Sequence, residues 1–293
     1  MSKFAPNNLF HLGNILRVIL LMLSLAVAGQ SLAAQSSSHQ PAALQRIGQE
    51  IPQIIERGYI VVAMPSFNSP PFFFERDGQM MGIDIELINK FAKAMGVEVR
   101  YNRAGKSFND AVDLVVKGKA DMAWGKLSRT MERAKIVSFS NPYLVLHHSL
   151  AINRLRLADM TKDGRTVLNV IRDFDGSLAV IEGSSFVTYA RQNFPKAKIV
   201  EFKDFKEVVD AVRSGAIEVA YRDDFEIKRL IKIDPTISLT VRTVTLMDVE
   251  DSLGVAVRPA DIHLLEFVNM FFDKQPEKLT VDKIFKKYEA WLQ

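Results

Sequence analysis

Two loops of the sequence carry charged and hydroxyl-bearing residues in a combination that suits a small zwitterion. The first loop, 125–133, reads GKLSRTMER and includes Ser128 and Arg133, and a later loop holds Asp223. A guanidinium presents paired N–H donors to a carboxylate, while a carboxylate accepts charge-assisted hydrogen bonds from an ammonium. Ser185, at the predicted start of a helix, adds N–H donors for the same ligand carboxylate.

Both loops follow the strand of a predicted internal repeat. Residues 108–124, FNDAVDLVVKGKADMAW, align without a gap with 205–221, FKEVVDAVRSGAIEVAY, and each segment has the pattern of a helix followed by a strand. The matched Gly118 and Gly215 are placed to end the two helices. Short strands separated by single helices favour parallel βαβ units, in which ligands bind beyond the carboxyl ends of the strands. The sequence therefore predicts an α/β protein of two similar lobes.

Further elements and the connections between the lobes are also predicted. Tyr59–Ala63 is typical of a buried strand, and Asp84 is read as the cap of a helix that Gly96 ends. The chain is expected to cross between the lobes near 150–153 and 253–257.

The N-terminus has the order of a secretory signal peptide. Lys3 and Arg17 precede the apolar run 18–28, VILLMLSLAVA, and small residues follow it. Such a run is too short to cross a bilayer core of roughly 30 Å as a helix, so a cleaved signal over 1–34 is predicted, with a leader over 35–53. An uncleaved anchor helix is the alternative.

Composition excludes several classes of function. The chain has no Cys, which excludes disulfides, thiolate metal sites and a lipidated Cys. Because there is no lipidated Cys to anchor the exported protein to a membrane, we expect it to be unattached in the periplasm. The net charge of +4 comes from mixed signs without a basic run, so nucleic acid binding is not expected. No phosphate loop, zinc motif or nucleophile elbow occurs, and neither a metal nor a cofactor is predicted.

Several motifs in order carry a family resemblance. They are RGYIVVAMPSFNSPPFFF with GIDIEL within 57–87, SxTxER at 128–133, FSNPY at 139–143, GSS at 183–185, and an Asp after a strand at 223. From about Ile54 onward the chain resembles the bacterial solute-binding proteins, family 3, which are periplasmic receptors for polar amino acids. The resemblance implies a type II periplasmic-binding-protein fold with a first lobe of 54–151 and 252–293 and a second lobe of 152–251. It also implies a monomer that closes on its ligand and docks on a membrane ABC importer or, less commonly, a sensor.

The resemblance also assigns roles to residues. Arg133 matches the arginine that holds the ligand α-carboxylate, Ser128 and Ser185 match its donors, and Asp223 matches the acid that receives the α-ammonium. The apolar wall is expected from Phe108 and from Phe67 or Phe72. The alternatives are an ion pair between Arg133 and Glu132, a helix N-cap at Asp223, and core positions for the phenylalanines.

Two residues depart from the family pattern. Lys126 stands where a small residue is common, and Arg222 directly precedes Asp223. If either side chain points inward, it favours a ligand with an acidic or strongly polar side chain; a solvated surface position is the alternative. The segment 154–175 is longer than the family usually shows and has no predicted function.

An enzyme is the rival class to a receptor. The chain is also similar to periplasmic cyclohexadienyl dehydratases, in which an added carboxylic acid expels water and carbon dioxide from prephenate or arogenate. Glu182 is the candidate acid for this reaction. A domain of a cell-wall lytic enzyme is a third reading, disfavoured because no catalytic domain follows before Gln293. We therefore expect a binding protein without catalytic residues.

Overall fold

The structure is a computed structural model that describes residues 49–292. The predicted signal peptide lies outside the described residues, as does most of the predicted leader. The last residues of that leader are helical, because the first helix already begins at Glu50. Within 49–292 no helix is both long and apolar enough to cross a membrane.

The elements alternate between helices and strands along most of the chain. The helices are α1 Glu50–Arg57, α2 Ile83–Met95, α3 Phe108–Val116, α4 Met131–Ala134, α5 Arg154–Thr161, α6 Val167–Arg172, α7 Ser185–Asn193, α8 Phe205–Arg213, α9 Asp224–Ile233, α10 Ile262–Asp273 and α11 Val281–Lys287. The strands are β1 Tyr59–Ala63, β2 Phe74–Arg76, β3 Gln79–Met81, β4 Glu98–Asn102, β5 Met122–Ala123, β6 Ser138–Phe139, β7 Leu144–Asn153, β8 Ser177–Ile181, β9 Lys198–Phe202, β10 Val219–Asp223, β11 Val241–Leu253 and β12 Ala256–Val257. Short 3₁₀ segments cover Pro235–Leu239 and Glu289–Trp291.

Two five-stranded sheets organise the described residues, and we call the parts built on them the first and second lobes. The first sheet has the order β4-β1-β5-β12-β6, with β1 parallel to β4 and β5 and with β12 antiparallel to β5 and β6. The second has the order β11-β7-β10-β8-β9, in which β8 is parallel to β9 and β10. The predicted α/β class is therefore confirmed.

The predicted repeat is also confirmed by the strand order. The parallel set β4-β1-β5 of the first sheet corresponds to β9-β8-β10 of the second, and each set is followed by an antiparallel strand. The matched helices α3 and α8 begin alike, because Ser107 and Asp204 each accept the N–H three residues on. Both matched glycines adopt left-handed backbone angles, with φ of +67° at Gly118 and +78° at Gly215. The sequence signal of the repeat thus reflects shared helix endings as well as apolar spacing.

The connections between the lobes differ in part from the prediction. Residues 150–153, expected at a crossing, instead pair with β10 and β11 inside the second sheet. The chain passes between the sheets earlier, between β6 and β7, and returns through Gly254 and Val255. Strands β7 and β11 form a long antiparallel ribbon, and β7 contributes Leu146 to the first hydrophobic core and Leu150 to the second. The predicted lobe boundaries at 151 and 252 fall within these strands. The long segment 154–175 contains α5 and α6.

The lobes touch through α9 on one side. Phe225 of α9 packs in the first core, with its ring centroid 5.0 Å from Phe72 and 4.9 Å from Phe285. Arg229 of the same helix donates from Nη1 to the carbonyl of Leu292 over 3.0 Å. The segment 281–292 is therefore packed in the first lobe and hydrogen-bonded to the second.

The lobes also approach closely at Gly183, which follows β8. A Cβ placed on this glycine would lie 2.7 Å from Cβ of Ser107 in the first lobe, closer than van der Waals contact allows. Its φ of +64° is left-handed as well, so the position favours glycine on two grounds. This approach requires that residue 183 carry no side chain.

We predict that Gly183→Ala separates the lobes while Gly215→Ala does not. Both glycines have left-handed φ, so each variant should lose about 1–2 kcal/mol of unfolding free energy. Only residue 183 faces a clash, since the nearest atom to a Cβ at Gly215 is 3.5 Å away. The chain has no Cys, so spin labels can be attached specifically to Lys106→Cys in the first lobe and Lys203→Cys in the second, both at exposed positions. The distance between the two labels measures the separation of the lobes across the cleft between them. The label distance should lengthen in Gly183→Ala alone; equal distances in both variants would contradict the close approach.

Candidate functional site

Arg133 is a buried cation with hydrogen-bonding capacity left over. It lies in α4, whose N-cap Thr130 accepts the N–H of Arg133 through its hydroxyl. Its guanidinium donates from Nη1 to the carbonyl of Ser128 over 2.9 Å, and from Nε and Nη2 to Oδ1 of Asn109 over 3.1 and 3.0 Å. Burial lowers the pKa of Arg133 to about 10, so it stays charged at neutral pH. Two of its five N–H groups have no partner in these bonds.

No carboxylate within 49–292 forms an ion pair with Arg133. The alternative partner, Glu132, pairs instead with Lys135 at 2.8 Å, and both of these side chains are exposed. A buried guanidinium held only by neutral oxygens is suited to an anion, because a charge-assisted hydrogen bond is stronger than a neutral one.

The two serines singled out from the sequence meet across the lobes. Oγ of Ser128 lies 2.8 Å from Oγ of Ser185, which is the first residue of α7. Both residues are buried. The first loop and the start of α7 are thereby joined directly by a hydrogen bond.

Asp251, on β11, is hydrogen-bonded to one of these two serine hydroxyls. Its Oδ2 accepts from Ser128 Oγ over 2.9 Å, and its Oδ1 accepts from the hydroxyl of Tyr189 over 3.1 Å. Burial raises the pKa of Asp251 to about 6, and the negative charge of Asp223 acts in the same direction. A carboxyl with this pKa changes charge close to neutral pH.

Asp223 ends β10 and is the N-cap of α9, as the alternative to a binding role predicted. Its Oδ1 caps α9 by accepting the N–H of Glu226 over 2.9 Å, and its carboxylate also faces the first loop. There, Nζ of Lys126 lies 3.1 Å from Oδ2 of Asp223 and 2.6 Å from Oε1 of Glu226. Burial raises the pKa of Glu226, but the charges of Lys126, Arg229 and Arg222 outweigh it and hold that pKa below its usual range.

Lys126 and Arg222 are buried in the cleft, so the solvated surface position is wrong for both. Lys126 is engaged by the two carboxylates and is not free for an acidic ligand side chain. Nε of Arg222 lies 3.4 Å from Oδ2 of Asp223 without hydrogen-bond alignment, and its guanidinium lies over the ring of Phe186 at 5.4 Å. Arg222 is thus buried without a full set of partners.

The three predicted phenylalanines occupy different environments. Phe72 is fully buried, and its ring is covered by Phe225 and by Nζ of Lys126 at 4.8 Å, which leaves no open face for a ligand. Phe67 and Phe108 form an edge-to-face pair with centroids 5.3 Å apart, and Phe67 is 37% exposed. Of the three predicted phenylalanines, this pair is the one that stays a candidate for the aromatic wall, although Phe108 is itself buried in the first core.

Asp84 is not the cap of α2, because Gly82 takes that position. The Asp84 side chain is fully buried, and its Oδ2 accepts the backbone N–H of Lys126 over 2.8 Å. Burial raises the pKa of Asp84 to about 7. Asp84 therefore positions the first loop, at a lysine whose φ of +48° is unusual for a side chain of that size.

Several site residues had no readable signal in the sequence. Asn109, Tyr189 and Asp251 belong to three separate elements that only the lobe contact brings together. Glu226 lies three residues after Asp223, where its N–H is capped, but nothing in that spacing indicates that its carboxylate turns toward Lys126.

Other candidates from the sequence lie outside this cluster. Glu182 is exposed, so it lacks the burial that would raise the pKa of a catalytic acid. His148 is buried against Phe186, Tyr189 and Tyr221. In the described part of the chain no group of three His, Asp or Glu side chains is arranged to hold a metal.

Known proteins share this architecture and sequence pattern. The chain is 24% identical to the glutamine-binding protein GlnH of an ABC transporter in Bacillus subtilis, over 72% of this chain and 73% of that protein. It is also 24% identical to the membrane-bound lytic murein transglycosylase F of Pseudomonas fluorescens, over 90% of this chain but about half (51%) of that protein. Among solved structures, an ancestral amino acid-binding protein described as a precursor of cyclohexadienyl dehydratase shares 27% identity with a TM-score of 0.64, over 82% of this chain and 98% of that one.

These neighbours fix the fold as that of type II periplasmic amino-acid-binding proteins. The family of bacterial extracellular solute-binding proteins, family 3, matches residues 60–290, which include every residue of the site described above and both sheets apart from Tyr59. The chain therefore belongs to the bacterial extracellular solute-binding proteins, family 3.

Proposed function

We propose that this protein is a periplasmic receptor that captures a small carboxylate-bearing solute, an amino acid or a close analogue, between its lobes and delivers it to a membrane ABC importer. The observation that carries the proposal is the buried Arg133, whose guanidinium has N–H groups to spare and no carboxylate ion-pair partner within 49–292. Family membership and the amino-acid-binding relatives support the class of solute.

A solute can make its full set of contacts with this site only when the two lobes are in contact. Arg133 and Ser128 belong to the first lobe, and Ser185 belongs to the second. A carboxylate bound by all three gains its full set of hydrogen bonds only when the lobes meet. Such differential contact is what a ligand needs in order to shift a protein toward its closed arrangement.

The predicted signal peptide supports the export part of this proposal, and membership of the family supports the transport part. In this proposal the receptor acts in the periplasm as a monomer, without a cofactor, and the arrangement with its lobes together is the one an importer recognises. A sensor in place of the importer is the alternative partner.

Arg133→Ala should weaken solute binding by at least about 30-fold, because a charge-assisted hydrogen bond to a buried carboxylate contributes roughly 2 kcal/mol or more. Binding is measured by calorimetry on refolded, ligand-stripped protein against a panel of three matched pairs. The pairs are L-glutamate and glutarate, L-glutamine and 4-carbamoylbutanoate, and L-histidine and 3-(imidazol-4-yl)propanoate. Arg129→Ala, an exposed arginine of the same loop, is the matched control and should bind as wild type does. Equal affinity in Arg133→Ala and Arg129→Ala would remove Arg133 from the site.

Binding of panel carboxylates should strengthen as the pH falls from 7.5 to 5. Asp251 has its folded pKa raised to about 6, so it is ionised at pH 7.5 and protonated at pH 5. Its negative charge opposes a ligand carboxylate near Ser128 and Arg133, and if only the protonated form binds, the dissociation constant changes by up to about 30-fold over this range. Burial raises the pKa of nearby Tyr189 well above its usual range, so its hydroxyl stays neutral throughout this pH range.

Asp251→Asn should abolish this pH dependence and keep the tighter affinity at pH 7.5. The variant separates the effect of Asp251 from that of Asp84, whose pKa is raised to about 7 and which titrates in the same range. Asp248→Asn replaces an exposed carboxyl on the same strand and should leave the slope as in wild type. A slope that survives in Asp251→Asn would assign the titration to another group.

A lyase acting on prephenate or arogenate is the second candidate function. It is favoured by the ancestral relative named as a precursor of cyclohexadienyl dehydratase and by the buried carboxyl of Asp251, with its pKa near 6. Asp251 accepts two hydrogen bonds in place of directing a proton outward, so we expect no aromatic product when the protein is incubated with either substrate and followed by ultraviolet absorbance. Turnover that disappears in Asp251→Asn would establish the enzyme instead.

A further inference from the structure

Lys126 is held rigidly in the cleft by three separate restraints. Its backbone N–H is bound by Asp84, its ammonium lies over the rings of Phe72 at 4.8 Å and Phe225 at 5.4 Å, and the residue is 4% exposed. The side chain therefore occupies a fixed position and does not extend into solvent.

The ammonium of Lys126 contacts both carboxylate oxygens of Asp223. Nζ bridges the carboxylate, at 3.3 Å from Oδ1 and 3.1 Å from Oδ2, while Oδ1 also accepts the N–H of Glu226. Nε of Arg222 lies 3.4 Å from Oδ2. Oδ1 thus accepts two hydrogen bonds from the protein, and the ammonium of Lys126 also contacts Oδ2, so Asp223 already has an ammonium partner within the chain.

The charges around Asp223 leave no negative charge for a second ammonium. Two carboxylates, Asp223 and Glu226, are in ion-pair contact with three cations, since Arg229 pairs with Glu226 at 2.9 Å in addition to Lys126 and Arg222. The cluster is thus net positive, and another buried cation would meet repulsion.

The end of the cleft around Arg133, where the ligand carboxylate is proposed to bind, has unused donors, unlike the cluster around Asp223. Arg133 keeps two N–H groups and has no ion-pair partner within the described residues. Asp251 competes for the hydroxyl of Ser128 but forms no ion pair with the guanidinium. The cleft therefore presents donors for an anion at one end and an internal ammonium at the other.

We propose that the solute carries a carboxylate but no free α-ammonium, because Lys126 supplies the ammonium that Asp223 would otherwise take from the ligand. Lys126 is thereby the residue that determines this specificity. The inference rests on the proposed receptor function and narrows its solute class to small carboxylic acids, such as the deaminated counterparts of amino acids.

The test measures affinities for the three matched pairs of the panel, whose members differ only in the α-ammonium. Wild-type protein should bind at least one deaminated member about tenfold or more tighter than its amino acid. Lys126→Ser frees Asp223, and the affinity ratio within that pair should shift toward the amino acid by about tenfold or more.

A second variant guards against loss of folding in Lys126→Ser, which leaves two carboxylates buried together. Lys126→Ser combined with Glu226→Gln removes one of these carboxylates and restores the wild-type net charge of the cluster, while Asp223 still loses its ammonium partner, so the affinity ratio should shift in the same direction. Lys119→Ser, an exposed lysine of the first lobe, is the matched control and should keep the wild-type ratios. Thermal unfolding of each variant verifies that it is folded.

The outcomes separate this inference from the receptor function. If wild type prefers the amino acid in every pair that binds, or if both Lys126 variants keep the wild-type ratios, the inference is overturned while the receptor function stands. If wild type binds no probe and the variants gain the amino acids, the role of Lys126 is supported. If none of the proteins binds any probe, the receptor function itself fails for these solutes, and the inference fails with it.

Discussion

The ion cluster of Lys126, Asp223 and Glu226 is the interaction on which the arrangement of the cleft depends. It joins the first loop to α9 across the lobes with all three side chains buried. Buried charges are costly unless each is paired, so separating the lobes would have to return these groups to water or to other partners. The cluster therefore fixes both the electrostatics of the cleft and the relative placement of the loops that line it.

The charged side chains of the cleft are held in position by neighbouring residues of several elements. Asp84 binds the backbone of Lys126, and Asn109 orients the guanidinium of Arg133. Phe72 and Phe225 cover the lysine from the apolar side. In this way the first core of the protein supports the charged residues, and the first loop is positioned by contacts from several elements.

The sequence predicts those parts of the structure that depend on local rules. The repeat is readable because capping residues and left-handed glycines recur at matching places, and Arg133, Ser128, Ser185 and Asp223 are recognisable by family motif. The structure brings Ser128 and Ser185 together and places Lys126 against Asp223. Whether these residues bind a solute remains a prediction.

The rest of the site is invisible in the sequence because it depends on contacts distant along the chain. Asp251 reaches Ser128 across 123 positions, and Lys126 reaches Glu226 across 100. No spacing rule connects such residues. The predicted position of the first crossing between the lobes is wrong for a related reason. Strand β7 is continuous and contributes to both cores, so its sequence contains no break that marks where one lobe ends.

The segment 281–292 adds a third, non-covalent link beside the two crossings of the chain. It packs with the first lobe, yet Leu292 accepts from Arg229 and Glu289 pairs with Lys232 of the second lobe at 2.6 Å. Any opening that moves α9 away from the first lobe must break these contacts or carry the segment along. In the proposed receptor this link slows the escape of a solute without contacting it, so the residence time of the solute depends partly on residues on the far side of α9.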